Sequence, residues 1–115
     1  MGMHNALIVT SWNRENLDKA YMEARKIFKG HERLVTEILP EEDGFYKTFF
    51  ILPAFSGEKW DGVGEDYKRR KRLETFLNDL DDVEWINILF GYGCKNGAEI
   101  VSRSPTKKEL ESDKD

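Results

Sequence analysis

Ala6-Leu7-Ile8-Val9-Thr10 is a short apolar run, and Ser11-Trp12-Asn13 follows it. Beyond it Leu17, Ala20, Tyr21, Ala24, Ile27 and Phe28 recur at helical spacing. The run reads as a strand covered on both faces. In the helix, Arg14, Glu15, Lys19, Glu23 and Lys26 fall on the outer side. Ser11 or Asn13 can cap its start, and Gly30 ends it. A strand feeding an amphipathic helix begins an α+β plan, and the rest of the chain completes it.

Residues 34–39 read as a second strand and Pro40-Glu41-Glu42-Asp43-Gly44 as a turn. Residues 45–55 read as a third strand, apolar on both faces apart from Lys47 and Thr48. It and the first strand are expected at the centre of the sheet. Pro53 has no N–H to donate, so pairing weakens there. A long polar loop leads to a second helix over 65–80, with Leu73, Phe76, Leu77 and Leu80 as its buried stripe. Residues 83–90 form a fourth strand, and Asn96-Gly97 marks a hairpin into a short fifth strand over 98–102. The order βαββαβ plus a hairpin strand predicts an α+β fold of ferredoxin-like type, with two helices on one face of a mostly antiparallel sheet. Residues 1–103 make one domain. Residues 104–115 are charged and nearly free of apolar side chains, and are expected as a disordered tail.

Composition narrows the function. At 115 residues one domain is expected. Charged residues reach 35%, so the surface is heavily ionic. A net charge of −4 argues against a general polyanion binder. A lone cysteine, Cys94, excludes an intramolecular disulfide and suits a reducing cytoplasm. Together with His4 and His31 it supplies too few ligands for a structural zinc site, and no metal or cofactor is expected. No apolar run approaches the ~20 residues of a membrane span, and the N-terminus lacks the pattern of a signal peptide.

The most unusual stretch is Ser56-Gly57-Glu58-Lys59-Trp60-Asp61-Gly62-Val63-Gly64-Glu65-Asp66, which runs through Tyr67 into Lys68-Arg69-Arg70-Lys71-Arg72. A loop has no need of Trp60, and a helix start favours acids over cations. The candidate partner-binding residues are therefore Lys59, Trp60, Asp61, Lys68, Arg69 and Arg70. In one reading Arg69 and Arg70 are forked donors to an anion. In the other the five cations wind around the helix as a solvated surface, with the Arg69 and Arg70 stems over the core edge and their heads paired with Glu65, Asp66 or Glu74. Trp60 either anchors an interface or folds onto the core.

Three elements carry a resemblance. They are Thr10-Ser11-Trp12-Asn13 before the first helix, Gly44-Phe45-Tyr46 leading into Phe49-Phe50-Ile51-Leu52-Pro53, and Ser56-Gly57-Glu58-Lys59-Trp60-Asp61 with the later Gly64 and Arg69-Arg70. Over most of residues 5–101 the chain resembles a family of small, uncharacterised phage- and prophage-encoded proteins. The resemblance implies a bacterial host cytoplasm and no catalytic role.

The remaining candidates read as structure. Ser11 and Trp12 give a cap and a core-edge indole. His4 and His31 are surface residues, and Cys94 has no evident activating base. Asp79, Asp81, Asp82 and Glu84 form a solvated acidic turn. With no nucleophile and base in view, the chain is expected to be no enzyme. It is expected to be an accessory protein that binds a host protein through residues 56–72. The second reading is a nucleic-acid or nucleotide module using Arg69, Arg70 and the aromatics Phe45, Tyr46, Phe49 and Phe50. The acids Glu58, Asp61, Glu65 and Asp66 beside the cations disfavour it.

Overall fold

The computed structural model describes residues 4–53, 65–91, 97–106 and 109. Strand β1 (His4–Ser11) leads into helix α1 (Arg14–Ile27). Asn13 is the cap, its side chain accepting from the Asn16 N–H at 3.1 Å. A 3₁₀ turn (Glu32–Leu34) precedes β2 (Lys47–Ile51); α2 (Glu65–Asn78), β3 (Val83–Phe90) and β4 (Glu99–Arg103) follow. The four strands form one antiparallel sheet in the order β2-β1-β3-β4. The fold is α+β.

Period-2 alternation divides the sheet cleanly. Three cross-strand rows face the helices: Lys47–Ser11–Val83, Phe49–Val9–Trp85 and Ile51–Leu7–Asn87. All nine residues are buried. Leu17, Ala20, Ala24 and Phe28 from the first helical segment and Leu73 and Leu77 from α2 close over them as a single core. The helices therefore pack on one face and against each other, and among the described residues no helix is long and apolar enough to cross a membrane.

Three expectations are revised. Residues 34–39 are not a continuous strand; they touch β2 through isolated bridges, Val35 to Ile51 and Leu39 to Thr48. The reason lies in the hydrogen bonds. Thr36 N–H donates to Phe50 O, but the Phe50 N–H returns to the Thr36 hydroxyl instead of a carbonyl, which interrupts the ladder. Secondly, the third predicted strand shortens to Lys47–Ile51. At its far end the Leu52 N–H is already turned to Leu34 O, and Pro53 follows. Thirdly, β1 is central as expected, but its other interior neighbour is β3, and β2 stands at the end of the four-stranded sheet.

Lys47, the polar interruption in that strand, is buried. Its ammonium donates to the carbonyls of Pro40 and Glu42, the latter at 2.6 Å, and so folds the 40–44 turn against the sheet. At the other edge Ser104 continues the pairing past β4. Its N–H donates to Trp85 O and its hydroxyl accepts from the Trp85 N–H. The expected tail thus has its first residue bound to the sheet.

Candidate functional site

In α2, Arg70, Leu73, Glu74 and Leu77 lie on the buried stripe at i, i+3, i+4, i+7. Arg70 is only 4% exposed, and its Nη2 donates to Leu52 O at 2.6 Å. Lys68 is exposed and Arg69 half-buried. Lys71 pairs with Glu74 at 3.3 Å and lies over the Tyr67 ring. The cations do wind around the helix. Of the six predicted site residues, Lys59, Trp60 and Asp61 lie outside the described residues, Arg70 is occupied inside the fold, and Lys68 and Arg69 reach solvent.

Beside Arg70 sits a buried polar cluster that sequence reasoning missed. Glu74 Oε2 accepts from Asn87 Nδ2 at 3.1 Å and from the Ser102 hydroxyl at 3.4 Å, and Asn87 Oδ1 accepts from Asn5 Nδ2 at 3.0 Å. One carboxylate thereby ties α2 to β3 and β4, with Asn5 extending the chain to β1.

The chemistry that faces outward is on the other side of the sheet. There Phe50, Ile8 and Ile86 stand in one cross-strand row, ending at Arg103 on β4. Ala6, Ile88 and Ile100 make the next row. Nothing among the described residues covers them, because both helices lie opposite. Phe50 is 37% exposed, and its neighbour Phe49 is fully buried. Polar groups stand at the margins: Arg103 at the β4 edge, Thr48, Thr10 and Glu84 in one terminal row, and His4 stacked on Phe90 at the other. The strand alternation was readable, but which face the helices would leave bare was not.

Past the Thr48–Thr10–Glu84 row, Trp12, Phe45 and Tyr46 are all exposed, Trp12 at 59%. The expected core-edge position of Trp12 is corrected: β1 pairing ends at Ser11, whose hydroxyl donates to Asp82 O at 2.5 Å, and the next residue turns outward. The turns at this end are acidic, with Glu41, Glu42 and Asp43 on one side and Asp81 and Asp82 on the other. Phosphates would be repelled here.

Among the described residues no group of three His, Cys, Asp or Glu side chains is placed to hold a metal ion. A shallow groove beside α1, lined by Glu15, Asp18, Lys19, Met22, Glu23 and Phe76, is open to solvent. No protein-family model matches this chain, and no match to it was found among the curated proteins or the solved structures.

Proposed function

We propose that this chain is a non-enzymatic binding protein that docks another protein on the open face of its sheet. The observation that carries this is the apolar surface opposite the helices, in which Phe50 is exposed and Ile8, Ile86 and Ile88 are half-buried. An apolar patch on a surface otherwise rich in charge marks an interaction site. The exposed aromatics Trp12 and Tyr46 at its margin are residue types that anchor interfaces. Lys68 and Arg69 supply a second contact region on the α2 side. The resemblance to phage- and prophage-encoded proteins points to a partner in a bacterial host's cytoplasm.

We read the fold as ferredoxin-like. Counted with the bridging 34–39 segment, the sheet runs 34–39, β2, β1, β3, with β4 added beyond. Modules of this shape also bind RNA on the open face, and Phe50 lies there. The acidic turns around the aromatic end favour protein over nucleic acid.

The test is affinity capture from a bacterial lysate with and without nuclease, using the native chain and an Ile8→Glu variant checked by circular dichroism. A protein retained by the native chain, indifferent to nuclease and lost with Ile8→Glu, supports docking on the face. Recovered nucleic acid whose binding falls steeply with salt supports the second reading. Retention unchanged by Ile8→Glu removes the face from the function.

A further inference from the structure

We infer that the open sheet face is covered by a second copy of this chain, in a face-to-face dimer whose two-fold axis runs parallel to the strands between β1 and β3. The inference rests on the face being a docking surface and names a second copy as its occupant in the free protein, which a host protein docking there would displace.

Neither sheet edge is suited to pairing. The outer side of β2 is taken by the bridges from Val35 and Leu39. On the other side β4 is five residues long and broken by a bulge opposite Asn87 and Ile88, which blunts an edge against adding a strand. That leaves the face. In a chain with 35% charged residues its described charges are few, Glu84 and Arg103, and they stand at the same end.

Symmetry then decides the arrangement. A two-fold axis along the strands keeps every cross-strand row at its own level and exchanges columns, so β2 lies over β4 of the second copy and β1 over β3. Phe50 meets Arg103 of the second copy, Ile8 meets Ile86, Ala6 meets Ile88, and Thr10 meets Glu84. The apolar and aromatic pairs are complementary. The small Ala6 leaves room for Ile88, and Phe50 offers a ring to a guanidinium, while Glu84 stays at the solvent margin because the Thr10 hydroxyl already donates to Lys47 O at 3.1 Å. Arg103 is already set for that contact. Its in-plane donors go to Glu109 at 3.0 Å and Ser104 O at 3.1 Å, leaving the flat face of the guanidinium for an aromatic ring. The other in-plane axis, perpendicular to the strands, sets Glu84 against Phe90 and Arg103 against Ile100, with both charges over hydrocarbon. Only the first axis gives Arg103 an aromatic ring to lie on. Two sheets so placed pack aligned, about 10 Å apart.

Sedimentation equilibrium of the full chain should give twice the 13.5 kDa chain mass. Ile86→Asp and Arg103→Glu should each shift it to the monomer with the circular dichroism unchanged. Arg103 is exposed, so its variant decides if Ile86→Asp unfolds. In a Cys94→Ser background, mixing Phe50→Cys chains with Arg103→Cys chains under mild oxidation should give a mixed disulfide that neither chain forms alone. A monomeric native chain overturns the dimer, and so does a dimer indifferent to Arg103→Glu or a mixture without the mixed disulfide. If the native chain is monomeric while Ile8→Glu still abolishes capture of a lysate protein, the dimer falls and the docking face stands. If Ile8→Glu changes neither mass nor capture, both fall.

Discussion

Arg70 Nη2 donates to the Leu52 carbonyl at 2.6 Å, joining the first turns of α2 to the chain just past β2. The most informative cation of the sequence is thereby a clamp within the fold. A hydrogen bond to a charged group contributes about 1.5–3 kcal/mol, so Arg70→Ala should destabilise the chain by about that much in urea titration. Lys68→Ala, on an exposed position, should stay within about 0.5 kcal/mol. Equal effects of the two substitutions would show that the Leu52 contact contributes nothing.

The buried Glu74–Asn87 pair makes a second prediction. Glu74→Ala leaves Asn87 Nδ2 without its acceptor in a buried site, which costs about 1–3 kcal/mol. Asn87→Ala also strands Asn5 Nδ2. Because the two share one network, the double variant should cost less than the sum of the singles. Additive losses in a double-mutant cycle would mean the cluster is not coupled.

Two surface carboxylates have defined acid behaviour. Glu109 is held below the usual carboxylate range, first by its hydrogen bond from Arg103 and then by that from Thr106. Glu32 is held low by backbone N–H groups, its own and that of Gly30, the latter at 3.0 Å. A folded-state pKa below the unfolded value means the contribution is present above about pH 4.3, the ordinary glutamate value. It is lost as pH falls through the depressed folded pKa. Carboxyl NMR titrations of the folded chain should give midpoints below that ordinary value for both; ordinary midpoints would mean the contacts are not kept in solution.

Much of this fold was legible because periodicity survives without knowledge of tertiary contacts. Leu17, Ala20 and Ala24 announced α1, and Ala6–Thr10 announced a central strand. The irregular 34–39 segment was not legible, since its ladder is broken by one side-chain bond from Thr36. The site was harder still. A cationic run draws notice in a sequence, yet Arg70 sits on the same helical stripe as Leu73 and Leu77, and only packing shows that its head is used inward. The reverse holds for Ile8 and Ile86. A wholly apolar strand looks covered on both faces, and only the placement of both helices on one side leaves these residues half-exposed.

Phe49 and Phe50 are adjacent in β2 and identical in chemistry, but the pleat sends them to opposite faces. Phe49 is fully buried and meets the Tyr21 ring edge-on at a centroid distance of 5.6 Å. Truncating a buried phenylalanine to alanine costs about 3–5 kcal/mol. Phe50 has already left part of its surface in water and sits on the uncovered side, so Phe50→Ala should cost the isolated chain under about 1.5 kcal/mol. Binding should show the inverse order. Phe50→Ala should weaken association at the open face, whether the occupant is a second copy or another protein. Phe49→Ala should leave association intact in whatever fraction remains folded. Urea titration of each variant, paired with sedimentation at the same temperature, separates the two. If Phe50→Ala were the more destabilising variant in the monomer, the open face would be part of the core and the docking surface would have to be sought on α2.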